Sequence, residues 1–205
     1  MPKEEAPLSL LQKYIPAGSL PYVIEYLQQY KVHLTITRVR KTVLGDYRHA
    51  YGTKNHRISV NGNLNPQAFL ITLIHELAHL VTFTRYNNQV ASHGKEWKHI
   101  YKGLLLQFLE HQIFQPDVHQ ALERSLHNLP ASSCVDVNLM RVLKNYDETQ
   151  NGLVMVEKLA EGSLFSIGEG RIFKKGKQLR KRFHCLEIKT GKIYLFSPVY
   201  EVEPV

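Results

Sequence analysis

The sequence predicts an α+β protein in two parts: a helical domain with a small antiparallel sheet preceding its central helix, and a small all-β module at the C-terminal end. Three observations predict it. Apolar residues recur at helical spacing around residues 19–30, 66–81 and 97–126. Between Val32 and Asn61 they alternate instead, with turn residues between the runs. From Leu153 onward the pattern is short β runs punctuated by Gly168, Gly170, Gly176 and Gly191. The expected divisions are residues 1–130, a linker with a short helix over 131–152, and the β module over 153–205. With 205 residues, 43% of them hydrophobic, the chain suffices for one well-buried core and a small appendage.

Residues 7–30 read as helical, interrupted near Pro16-Ala17-Gly18-Ser19. Ser19 is placed to cap the second piece, Pro21 lies in its first turn, and Tyr22, Val23, Tyr26, Leu27 and Tyr30 mark one face. Val32, Leu34 and Ile36 alternate with His33, Thr35 and Thr37, a half-buried strand with His33 on the outside. Residues 47–51 and 57–61 read as two more strands joined by a turn over Gly52-Thr53-Lys54-Asn55. Asn65 and Pro66 are an N-cap and a first helical residue, and the helix they open is apolar on nearly every face through Val81.

Residues 84–92 read as a polar loop in which Arg85 or Tyr86 could stabilise an oxyanion; the plain alternative is a solvated side chain. Trp97, Ile100, Tyr101, Leu104 and Phe108 form the stripe of a helix running to about Glu110, with Trp97 in the core. Pro116 opens another helix to about His127, leaving His119 and His127 exposed. Residues 128–136 are a linker, and Leu139, Val142 and Leu143 mark a short amphipathic helix. The β runs expected after it are 163–167, 171–174, 178–188, 192–196 and 199–202.

The chemistry is concentrated in Ile74-His75-Glu76-Leu77-Ala78-His79-Leu80, which contains H-E-x-x-H. Residues four apart share a helix face, so His75 and His79 can hold one metal ion. Glu76 stands beside that site, where it can deprotonate a water without filling a coordination position. Two imidazoles and an open site point to zinc. The bland alternative is a pair of histidines satisfied by backbone or water. It fits poorly, because so apolar a helix would not bury two His and a Glu without partners. A catalytic zinc usually keeps three protein ligands. His93 lies thirteen intervening residues past His79, just before Gly94 and a new helical pattern, and is best placed as the third. Glu110 is its rival, with His99 and His111 weaker ones.

His75, Glu76 and His79, followed by His93, Gly94, Glu96 and Trp97 as H-G-x-E-W, resemble the SprT-like metalloprotease family, which includes the Spartan proteases acting on DNA–protein crosslinks. Residues 40–48 and Ile58-Ser59-Val60-Asn61 also resemble the strands that precede the metal helix in that family. The resemblance covers about residues 20–110. It implies a zincin-like metalloprotease domain, one zinc held by His75, His79 and His93, Glu76 as the base, and protein substrates bound or crosslinked to DNA. Many relatives end in a zinc ribbon with paired cysteines, whereas only Cys185, beside His184, lies in that segment here. A degenerate ribbon without a second zinc is therefore expected, stabilised by Phe165, Phe173, Phe183, Ile193, Tyr194 and Phe196.

Residues 171–192 hold nine Lys/Arg against Glu187 alone, a net +8 equal to the excess of the whole chain. Arg171, Lys174, Lys175, Lys177, Arg180, Lys181 and Arg182 are the expected nucleic-acid contacts, with DNA the expected partner beside a protein substrate. A solvated basic face is the silent alternative. No apolar run approaches the ~18 residues of a membrane span, and the chain opens with charge at Lys3, Glu4 and Glu5. Cys134 and Cys185 make no disulfide framework and read as reduced thiols. A cytoplasmic monomer without membrane contact is expected. The function so read is a zinc-dependent endopeptidase acting on DNA-associated proteins. A non-enzymatic nucleic-acid-binding protein with a structural zinc is the alternative, against which the intact Glu76 counts; hydrolysis of a non-peptide bond is a third reading.

Overall fold

In the computed structural model, which describes residues 7–40, 43–127, 136–147, 152–168 and 170–205, the chain divides into units Met1–Asp147 and Glu148–Val205. Cys134 and most of the expected linker lie outside the described residues. The first unit opens with a 3-10 turn, Leu8–Lys13, and helix α1, Leu20–Gln29. Ser19 takes the cap position, but its hydroxyl donates to the Pro16 carbonyl at 2.6 Å and leaves α1 without a side-chain cap. Strands β1 (His33–Thr37), β2 (Gly45–Arg48) and β3 (Arg57–Asn61) follow.

The small sheet is mixed rather than antiparallel, which corrects the expectation. Its order is β1-β3-β2, with β1 parallel to β3 and β2 antiparallel to it. The chain leaves β1 and crosses to the far edge of β3, where the buried side chain of Asn61 pins it. That amide accepts from Arg40 Nε at 2.7 Å and donates to the carbonyls of Arg40 and Val43 at 3.1 and 3.0 Å. Alternation in a sequence reports which residues face a core; it does not report which strands pair.

Helix α2, Pro66–Tyr86, starts as expected, with Asn65 Oδ1 accepting from the Ala68 N–H at 2.9 Å. It continues through Thr84, Arg85 and Tyr86, which the sequence placed in a loop. The hydroxyls of Thr82 and Thr84 bond back to the carbonyls of Ala78 and Leu80 at 2.7 and 2.9 Å, so both are satisfied within the helix. Phe69, Leu70, Leu73, Ile74, Leu77 and Leu80 are fully buried. Among the described residues α2 is the one helix long and apolar enough to cross a membrane, but 78% of its apolar window is buried, as in a core helix.

Helix α3, Lys95–Glu110, packs on α2 through Trp97, Leu105 and Phe108. Helices α4 (Pro116–Ser125) and α5 (Val137–Leu143) complete the unit. His119 of α4, expected on the surface, is half-buried and lies 3.5 Å from Glu123. α5 is the short amphipathic helix expected within residues 131–152, and its Leu139 enters the core of this unit. Asn65 Nδ2 also donates to Leu143 O at 2.9 Å and to Asp147 Oδ1 at 2.6 Å, so this unit runs to Asp147.

The second unit is one antiparallel sheet in the order β4-β9-β5-β6-β7-β8. Its strands are β4 (Val154–Met155), β5 (Leu164–Ile167), β6 (Arg171–Leu179), β7 (Arg182–Glu187), β8 (Ile193–Phe196) and β9 (Glu201–Pro204). Phe165, Phe173, Phe183 and Phe196 build its core with Val156, Cys185 and Val202. β4 lies outside the expected runs, and two longer strands also differ from expectation. β6 passes through Gly176 with a bulge between Lys175 and Gln178; a Cβ at 176 would stand 2.5 Å from the His184 carbonyl oxygen, so glycine is required. The run 178–188 is a hairpin, not one strand. Leu179 pairs with Arg182 across the two-residue turn Arg180-Lys181, with Arg180 at φ +55°. Such turns favour Asn and Gly, so this one carries no sequence signal.

Candidate metal centre

One helical turn on α2 separates His75 from His79, and the chain returns after α2 to bring His93 to them. His75 Nε2 lies 3.3 Å from His79 Nε2 and 3.2 Å from His93 Nε2. Tetrahedral zinc with bonds of about 2.0–2.1 Å sets ligand nitrogens about 3.3 Å apart, so the donor set fits a three-histidine metal with its fourth position open. Burial, then the neighbouring imidazoles, pushes His75 down to about 3; burial, then His93, pushes His79 down to about 4. His93 is lowered as well, by burial and then by Lys98. All three are therefore neutral at physiological pH, the form that ligates.

His93 owes its approach to local backbone. It adopts φ +60°, a left-handed conformation that His tolerates better than most residues. Behind it, a Cβ on Gly94 would stand 2.9 Å from the Ala91 carbonyl oxygen. Trp97 is fully buried as expected, and it also floors the site, its ring 4.7, 5.2 and 4.6 Å from those of His75, His79 and His93. His75 Nδ1 is buried with no hydrogen-bond partner, so packing by Trp97 and Tyr101 orients that imidazole. The rival ligands lie elsewhere. Glu110 lines a separate groove with Lys102 and His119, His111 stacks on Tyr22 at 3.8 Å, and His99 is exposed.

The three histidines open into a cavity of about 440 Å³ whose other wall is β2 and the residues after it. Glu76 is buried there. Burial first, then the Asp46 carboxylate, raises its pKa to about 8, with Arg40 opposing. Gly45 passes directly over it: a Cβ at 45 would lie 2.5 Å from Glu76 Oε1 and 2.8 Å from Thr72 Cγ2. The Leu44 carbonyl accepts from the Asn61 N–H, so residues 44, 46 and 48 bond to β3. Antiparallel alternation then leaves the backbone groups of Gly45 and Tyr47 on the open edge of β2. Arg85 and Tyr86 do not line the cavity, while Tyr47 and His49 do. Sequence reasoning missed Gly45, Tyr47 and His49, whose placement depends on β2 lying against α2.

The basic segment is less uniform than its sequence. Lys174, Lys177, Arg180, Lys181 and Arg182 are exposed, the last three at the β6–β7 hairpin tip. Arg171 is committed to Glu187 at 2.7 Å and lies over the rings of Phe173 and Tyr194. Lys175, expected as a nucleic-acid contact, is an interior side chain. Its Nζ donates to the carbonyls of Glu157 and Leu159, lies 4.2 Å from the Phe183 ring centroid, and is held below the usual lysine range by burial. The bulge at Gly176 lies next to it in β6.

No curated protein and no solved structure matches the chain. A family model described as the SprT-like family matches residues 21–113. That segment contains β1 to β3, α2, α3 and the complete histidine cluster with Glu76. Through residues 21–113 the chain belongs to the SprT-like family, and it carries a metalloprotease-type domain whose three histidines could hold a metal ion.

Proposed function

We propose that the chain is a zinc-dependent endopeptidase acting on DNA-associated proteins. The observation that carries the peptidase reading is the pairing of a metal-spaced histidine cluster with a buried Glu76 opposite an open strand edge. Bound zinc supplies a Lewis acid for the scissile carbonyl and a water with its pKa lowered toward ~7. The chain's own groups do the rest. His75, His79 and His93 hold the ion, and the edge of β2 at Gly45 and Tyr47 accepts an extended peptide as an added strand. The Glu76 carboxylate takes the water proton and passes it to the leaving amine, a role suited to a carboxyl whose pKa lies near the working pH. Site and base come from one chain, so a monomer suffices.

DNA as the second partner is supported by the exposed Lys174, Lys177, Arg180, Lys181 and Arg182, the last three on one hairpin tip. The test is cleavage of a DNA-bound protein by the zinc-loaded chain, with and without DNA. Wild type should cleave, and Glu76→Gln should keep zinc and DNA binding while losing hydrolysis. Equal cleavage by both would remove Glu76 as the base. Failure of the intact protein to bind DNA in low-salt fluorescence anisotropy would leave a peptidase without the DNA-linked substrate class.

A further inference from the structure

A hydrogen-bond donor at the oxyanion would add to the charge stabilisation that bound zinc supplies, and the two residues the sequence offered for that task, Arg85 and Tyr86, stay out of the cavity. Resting on the peptidase reading above, we propose that Tyr47 is a further catalytic residue, its hydroxyl donating a hydrogen bond to the scissile carbonyl oxygen as negative charge develops there. Tyr47 lines the metal cavity with Glu76 and His79. Standing two residues after Gly45 on β2, it shares the strand face on which Gly45 meets Glu76. Its ring centroid lies 6.4 Å from that of Phe83, one turn beyond His79 on α2.

The hydroxyl is already held as a donor. Tyr47 Oη lies 2.8 Å from His56 Nδ1, and the two rings are nearly parallel with centroids 5.9 Å apart. His56 Nδ1 also accepts the Ala50 N–H at 3.2 Å, which fixes that nitrogen as an acceptor and the phenol as the donor. This double occupancy makes release inexpensive. When the phenol proton turns toward a substrate oxygen, His56 Nδ1 keeps the Ala50 N–H, so no buried acceptor is left unpaired. Burial holds the phenol above the usual tyrosine range, which keeps it protonated. Two neighbouring donors are engaged elsewhere: the Thr82 hydroxyl by the Ala78 carbonyl, and His49 Nδ1 by the Ala50 carbonyl at 2.9 Å.

The step balances without proton loss from tyrosine. Water oxygen bonds to the carbonyl carbon, the C=O π pair moves onto the carbonyl oxygen, Glu76 takes the water proton, and Tyr47 donates a hydrogen bond to the new oxyanion. As that intermediate collapses, the C–N bond breaks and Glu76 returns its proton to the amine.

The experiment compares wild type with Tyr47→Phe, which keeps the ring and the packing on Phe83. Its readouts are kcat and KM on the DNA-bound substrate, zinc content, thermal midpoint, and calorimetric affinity for two probes. One probe is a phosphinic peptide, whose tetrahedral phosphorus carries an oxygen at the oxyanion position; the other is acetohydroxamate, which binds the metal without that geometry. Tyr47→Phe should lower kcat and phosphinic-peptide affinity by about 10²-fold each. KM, zinc content, midpoint and acetohydroxamate affinity should hold. Wild-type values for both kcat and phosphinic-peptide affinity in the variant would overturn the role of Tyr47 and leave the peptidase reading standing. A wild type that neither cleaves nor binds the phosphinic peptide would overturn that reading and, with it, this role.

Discussion

Without metal at pH 7, Glu76 carries a proton, because burial and Asp46 raise its pKa to about 8. A divalent cation beside it favours the carboxylate, so zinc binding should expel that proton. The histidines add little, since His75 and His79 titrate near 3 and 4 and are already neutral. Calorimetry of zinc binding at pH 7, repeated in buffers of different ionisation enthalpy, should therefore report one more proton released by wild type than by Glu76→Gln. Equal release would show that Glu76 is ionised in the metal-free protein. His93→Ala should lose stoichiometric zinc, whereas Glu110→Ala should retain it, as metal analysis of the purified variants can establish. His75, Glu76 and His79 were legible in the sequence because four-residue spacing fixes a helix face, and His93 because a glycine and a new helix follow it. Gly45 and Tyr47 were not, since no local pattern records that a strand passes over a carboxylate.

Among the elements around the histidines, β2 is sensitive to a single methyl. Gly45→Ala should keep its backbone but drive Glu76 aside, since the new Cβ would sit 2.5 Å from Oε1. A displacement near 1 Å can cost about 10²-fold in rate, so hydrolysis should fall by at least that factor with zinc content unchanged. Undiminished turnover would mean that Glu76 is not the base or that the strand yields freely. The helices were read from sequence to within a few residues, aided by the proline starts of α2 and α4. Strand pairing was not, because the Asn61 clamp that sends the chain across β3 acts between segments far apart in sequence. The β6–β7 turn was hidden for another reason. Arg180 occupies a left-handed position that costs a non-glycine residue roughly 1–2 kcal/mol. Arg180→Gly should raise the unfolding midpoint of the second unit and, if that unit holds DNA, weaken the binding, two effects in opposite directions from one side chain.

At the scale of the molecule, two separate cores imply two unfolding transitions. Zinc should raise only the transition of the first unit, by about 2.7 kcal/mol at a free concentration 100 times its dissociation constant. A shift of both transitions together would mean that the units unfold as one. If the second unit holds DNA, replacing Arg180, Lys181 and Arg182 with Gln should flatten the log–log salt dependence by up to about 3 units, one for each phosphate no longer neutralised. Alternation along a single strand would limit the change to about 2 units, with Lys181 on the opposite face from the two arginines. The turn removes that restriction. Lys175→Gln should leave the slope unchanged, because its ammonium faces carbonyls inside the fold. Asn65 gives the junction a mechanical meaning. The side chain that caps the metal helix also grips Asp147, the last residue before the second unit. Tension applied to the chain from beyond that point is shared by the Tyr146–Asp117 and Asn65–Asp147 hydrogen bonds, and the second carries part of it to the opening turn of α2, the helix that presents His75, Glu76 and His79.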